Sequence, residues 1–163
     1  MAAHAQGQDV RIFQAVSPAE IKQIRDLFLE YGRSLGFSLC FQSFDKELAE
    51  LPGDYAPPTG RLLLATVGSE AAGCVALHAS EAGIAEMKRL YVRPQYRGRR
   101  VGFALLQQLL ADAREIGYRS IRLDTVEPVM KDAVKMYRRL GFQEIPPYRT
   151  NPIEGALYMQ LNL

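Results

Sequence analysis

The chain has 163 residues, 48% of them hydrophobic and 23% charged, and a net charge of +2. These values describe one ordinary globular domain, and the near-neutral balance argues against a protein built to coat nucleic acid. The longest apolar runs, 62–67 and 74–77, are far too short to span a bilayer.

In chain order, residues 1–9 are expected to be a flexible N-terminal stretch, and 10–163 a single domain. Nothing in residues 1–9 resembles a signal segment, so the expected location is cytoplasmic. Val10 to Val16 reads as a strand. Ser17-Pro18-Ala19-Glu20 has the form of a capping box with proline in the first turn. Ile21, Ile24, Phe28, Tyr31 and Leu35 then recur at helical spacing, which predicts an amphipathic helix ending near Gly32 or Gly36. A short helix is expected over 44–51, and a Pro/Gly-rich loop over 51–60. Residues 61–67 and 73–78 read as a hairpin around a 68–72 turn, and 84–92 as a third strand. A helix follows between Gly98 and Gly117, then a strand over 120–125. A second helix spans Val129 to Leu140 and is stopped by Gly141. Residues 142–145 and 156–161 are the final strands. The order predicts an α/β fold with a mixed sheet of six to seven strands and about four helices.

The most informative segment is Leu90-Tyr91-Val92-Arg93-Pro94-Gln95-Tyr96-Arg97-Gly98-Arg99-Arg100-Val101-Gly102. A strand end, a Gly/Arg-rich turn and a helix start combine free backbone N–H groups, a positive dipole end and close backbone approach. That is a cradle for phosphate. Taken alone, the same turn also reads as a solvated basic loop. It is neither a Walker loop nor a dinucleotide fingerprint.

This stretch resembles the acetyl-CoA-binding motif of the GNAT superfamily of N-acetyltransferases. Arg97 matches its first position and Gly102 its last, while Arg100 stands where the middle glycine is usual, a change that a helical residue would tolerate. The segment from Ala133 to Phe142, with Met136-Tyr137 and Gly141-Phe142, resembles the late helix of the same family. Met130 occupies the place of a frequent asparagine.

The resemblance implies acetyl-CoA as cosubstrate, bound by Leu90, Tyr91, Val92, Arg97, Gly98, Arg99, Arg100, Val101 and Gly102. It implies two central parallel strands that splay apart, no metal, and direct attack on the thioester by the primary amine of a small molecule or amino-acid-like acceptor. The Leu90 N–H would meet the oxyanion, and the Val92 backbone would hold the pantetheine amide. Glu86 is the candidate base, read as lying on the same strand face as Leu90 and Lys88; a surface or salt-bridged carboxylate is its other reading. Tyr137 is the candidate acid for the departing thiolate; a core tyrosine is the alternative. Tyr31, Phe37 and Tyr55 read either as acceptor-pocket residues or as core, and Arg122, Asp124 and the Pro146-Pro147-Tyr148 loop are expected near the acceptor. His78 reads first as structural, and His4 has no role. Cys40 and Cys74 read as reduced buried thiols. The late strands could pair across a homodimer. A non-catalytic acyl-CoA sensor is the rival reading, and a nucleic-acid binder a weaker one.

Overall fold

The computed structural model describes residues 9–39 and 43–163. The expectations for His4, for Cys40 and for the N-terminal stretch up to residue 8 lie outside the described residues.

Strand β1 (Val10–Gln14) leads into helix α1 (Pro18–Ser34) through the capping box: the Glu20 N–H donates to Ser17 Oγ at 3.2 Å, and the Ser17 N–H donates to Glu20 Oε1 at 3.0 Å. The apolar stripe of α1 buries Ile24, Leu27 and Phe28. Helix α2 (Phe44–Glu50) follows, with a 3₁₀ turn at Gly53–Tyr55 inside the expected loop.

Strands β2 (Arg61–Val67), β3 (Glu70–Glu81) and β4 (Ile84–Val92) form an antiparallel meander. Val67 pairs with Glu70, so the β2–β3 turn is two residues rather than five, and β3 is longer than expected at both ends. Helix α3 (Val101–Ile116), strand β5 (Ser120–Val126) and helix α4 (Lys131–Arg139) come next. Helix α4 starts two residues later than its apolar spacing suggested, because Met130 is the cap and Val129 is an exposed approach residue. Strand β6 shrinks to Gln143–Glu144, and β7 is Ala156–Asn162.

The seven strands are ordered β1-β2-β3-β4-β5-β7-β6. Among the described residues four α-helices cover the two faces. One core lies under α3 and α4, around Leu105, Leu109, Val75, Leu77, Ile121 and Tyr137. The other lies under α1 and α2, around Phe28, Leu48, Leu64, Cys74 and Tyr91.

Two features of β4 position everything that follows. The first is a splay. Strands β4 and β5 pair in parallel only at Ile84–Ser120, Ala85–Ile121 and Glu86–Arg122. Beyond Glu86, β4 stays with β3 as far as Val92, and β5 stays with β7 as far as Val126. The second is a bulge. Lys88 faces Ala76 and Tyr91 faces Cys74, so Arg89 and Leu90 together oppose Val75. Arg89 adopts φ +62°, the left-handed conformation that such bulges usually give to glycine.

The bulge corrects one expectation. An unbroken strand puts residues four apart on one face. The extra residue reverses that alternation, so Glu86 and Lys88 face α1 and α2, whereas Leu90 packs against the α3/α4 core.

Candidate active site

Past Glu86 the β5-facing edge of β4 has no ladder partner among the described residues. The Arg93 N–H donates across to the Ala72 carbonyl on β3 at 2.8 Å. Donor direction alternates along an antiparallel strand, so the Val92 and Leu90 N–H groups point the other way, into the splay. They are the two donors that the resemblance implied.

The mouth of the splay is the turn before α3. Gly98 (φ +80°) and Arg100 (φ +61°) are both left-handed. Arg100 is thus not helical, as its tolerance would require; it is the N-cap of α3, in the conformation that a glycine takes freely. Among the described residues no side chain caps this helix, so its first N–H groups remain available. A Cβ built on Gly102 would meet only Val92 Cγ2, at the ordinary distance of 3.5 Å. Among the described residues, packing therefore leaves the space above Gly102 open for a ligand. Arg97 Nε donates to the Val92 carbonyl at 3.1 Å and ties the turn to the strand end. Arg99 stacks on Tyr96 and Arg100 on Phe103. Val101 is core, and the Tyr91 ring packs edge-on to Tyr31 on the α1 side. Any contact of these two with a ligand belongs to their backbone.

Tyr137 projects from α4 into the α3/α4 core and is buried. Its hydroxyl makes no hydrogen bond among the described residues, unlike a core tyrosine anchored to a carbonyl. Burial pushes the phenol well up, with Tyr31 adding to the effect, so it stays protonated.

On the opposite face Glu86 is 1% exposed, and three donors meet it. His78 Nε2 lies 2.7 Å from Oε1, the Tyr148 hydroxyl donates to Oε2 at 2.7 Å, and Arg149 is ion-paired to the same oxygen. Burial, and then Lys88, push His78 down, so the ring is neutral and donates its Nε2–H. Burial pushes the Tyr148 phenol up and keeps it a donor. Arg122 lies 4.0 Å from the Tyr148 ring centroid and donates to Ser80 Oγ at 2.5 Å, which fixes the ring in place. Asn151 holds Asp124 at 3.1 Å.

Of the residues expected near the acceptor, Tyr55 borders a cavity of 280 Å³ on this face. The link from His78 to Glu86 was missed. Its signal is the hairpin turn: folding the chain on Glu81–Ile84 sets His78 opposite Glu86, once one irregularity at Ala79 is allowed for. Arg149 had no local signal.

The bulge is locked from the α2 side. Arg89 is 4% exposed, and its Nε and Nη2 donate to the two Glu47 oxygens at 2.9 and 3.0 Å. Tyr55 donates to Glu47 Oε1 at 2.9 Å. The Cys74 thiol, buried and pushed up by that burial, donates to the Arg89 carbonyl at 3.3 Å. Among the described residues no group of three or more His, Cys, Asp or Glu could hold a metal ion, and no helix is long and apolar enough to cross a membrane.

Comparison with known proteins agrees with this fold. The model of the acetyltransferase (GNAT) family matches residues 21–142. An uncharacterized N-acetyltransferase of Schizosaccharomyces pombe is 38% identical over 148 residues, 90% of each chain. An acetyltransferase of the GNAT family from Staphylococcus aureus shares the fold, with a TM-score of 0.78 at 18% identity over 94% of this chain and 99% of its own. So does a PaiA N-acetyltransferase from Thermoplasma acidophilum solved in complex with coenzyme A, with a TM-score of 0.72 at 17% identity over 95% and 99%.

Proposed function

The chain belongs to the GNAT family of acetyltransferases, and on that premise we propose that it moves the acetyl group of acetyl-CoA onto the primary amine of a small-molecule or amino-acid-like acceptor, by direct attack in a ternary complex. The observation that carries this reading is the splay past Glu86–Arg122, which has inward N–H donors on its edge, a buried Tyr137 on one face and a polar cavity on the other.

Acetyl-CoA, when bound, supplies an activated thioester. This chain supplies the rest. The free N–H groups of α3 and the turn at Gly98–Gly102 receive its phosphates. The Val92 N–H holds the arm, and the Leu90 N–H, fixed by the bulge in a water-poor cleft, stabilises the negative charge that develops on the acetyl oxygen. Tyr137 gives its proton to the departing sulfur.

Glu86 removes the acceptor's proton. Arg149 occupies Oε2 first, and the incoming ammonium takes its place. The swap is cation for cation, so the buried carboxylate is never left unpaired. His78 and Tyr148 hold the carboxylate still meanwhile.

The full hydrogen bonding of Glu86 is also what a non-catalytic acyl-CoA sensor would tolerate. Two measurements separate the readings. Acetyl-CoA should raise the melting temperature, and a screen of free amines, amino acids, polyamines and peptides should then yield CoA release. A shift without release against any amine selects the sensor, and no shift removes both.

A further inference from the structure

The 280 Å³ cavity lies between α2, the Gly53–Tyr55 turn and the α2-side face of β3 and β4. Its charges are unequally satisfied. Glu47 is committed to Arg89 and Tyr55. Lys46 lies 4.0 Å from Glu50 at the surface. Lys88 projects into the same cavity and makes no ion pair or side-chain hydrogen bond among the described residues. Burial, reinforced by Arg89, pushes it down to about 8, so it is still mostly charged at neutral pH. A largely buried ammonium without an ion-pair partner is costly, the more distant Glu47 and Asp124 offset only part of that cost, and an anion brought by a ligand lowers it further.

The position of Lys88 is specific. It is two residues beyond Glu86 on the same face of β4, past the last pair with β5. Two residues along a strand span roughly 7 Å. That suits a molecule whose amine meets Glu86 while an acidic group two bonds away meets Lys88.

We infer that Lys88 binds the carboxylate of the acceptor, and that the acceptor is a free amino acid or a similar molecule with an acidic group beside its amine. This rests on the acetyl-transfer reading of the cleft. Lys88 is then a specificity residue. A carboxamide, or the amine lacking the carboxylate, leaves the ammonium buried and unpaired, and sites built around a polar partner reject ligands that lack it.

The test is CoA release from acetyl-CoA with a series of L-amino acids, each run beside its carboxamide and its decarboxylated amine. The expected result is a preference for the carboxylate in kcat/KM of about tenfold to a hundredfold, the worth of a hydrogen bond between charged groups. Lys88→Met should erase most of that preference, chiefly through KM, and Lys88→Arg should retain it. Carboxamides or decarboxylated amines turned over as well as the acids would overturn the inference, as would a preference that survives Lys88→Met. In both cases acetyl transfer stands and only the role of Lys88 falls. If no member of any series releases CoA from a protein that acetyl-CoA stabilises, the acetyl-transfer reading fails and this inference falls with it.

Discussion

Arg149 reaches from the loop before β7 and pairs with Glu86 at the point where β4 and β5 part. The candidate base is therefore guarded by a cation from a segment more than sixty residues away. If an acceptor ammonium displaces that cation, the two side chains have separable effects. Glu86→Gln keeps the size and the contact with Tyr148 but cannot take a proton. It should lower kcat by about a hundredfold or more and leave acetyl-CoA affinity unchanged. Arg149→Gln should lower the acceptor KM, because a competing cation is gone. Steady-state kinetics with both substrates varied decides this, and a Glu86→Gln enzyme at full kcat ends the assignment.

Tyr137→Phe separates acid from anchor. The Tyr137 hydroxyl makes no hydrogen bond among the described residues, so its loss should cost no measurable stability. A buried hydroxyl that mattered structurally would cost about 1 kcal/mol. Turnover should fall by about a hundredfold, the usual reach of a positioned proton donor. An unchanged melting temperature with intact kcat would leave Tyr137 without a role. A lowered melting temperature would make its hydroxyl a structural anchor.

Two arginines with positive φ should respond oppositely to glycine. Arg100→Gly removes a left-handed strain of about 1–2 kcal/mol and loses only a surface stack on Phe103 worth about 0.5–1 kcal/mol. The variant should be more stable by up to about 1 kcal/mol. Arg89→Gly relieves the same strain but leaves Glu47 without its bidentate partner in a buried site. Breaking such a pair costs about 3–5 kcal/mol, so this variant should be less stable by about 1–4 kcal/mol. Urea denaturation of both variants checks the signs. A stabilised Arg89→Gly protein would mean that Glu47 is not the lock of the bulge.

The same contrast marks what was legible in the chain. Local chemistry was readable: the Ser17–Glu20 capping box, the apolar face of α3, and the Gly98–Gly102 turn all depend on residues within one or two turns of one another. The parting of the parallel strands was reached only through the family resemblance. The Arg89 bulge was not legible, since the residue is not glycine and its reward is Glu47, forty-two residues upstream. Assigning Glu86 and Leu90 to one face failed for that reason alone. The ring of donors on Glu86 joins β3, β4 and the loop before β7, and only the sheet order brings these together. Periodicity describes one element at a time and cannot find such a cluster.

Lys88 gives a pH signature with a definite sign. Its neighbours are Arg89 on its own strand, Glu47, Lys46 and Glu50 on α2, Asp54 and Tyr55 in the 3₁₀ turn, His78 on β3, and Asp124 on β5. Burial and Arg89 win over Glu47 and Asp124, and the ammonium falls from 10.5 to about 8. Below about 8 both folded and unfolded chains carry the proton, and the folded state bears the full cost of burying it. Between about 8 and 10.5 the unfolded chain binds more protons than the folded one, so this contribution to stability rises with pH. Lys88→Met, which keeps the apolar stem, should therefore melt higher than the parent protein near neutral pH. The gap should narrow as pH rises through that window. Paired melting curves, parent against variant, cancel the other groups that titrate there. A gap that stays flat or widens means that Lys88 already has a counter-charge, and an acceptor carboxylate would then gain little by binding it.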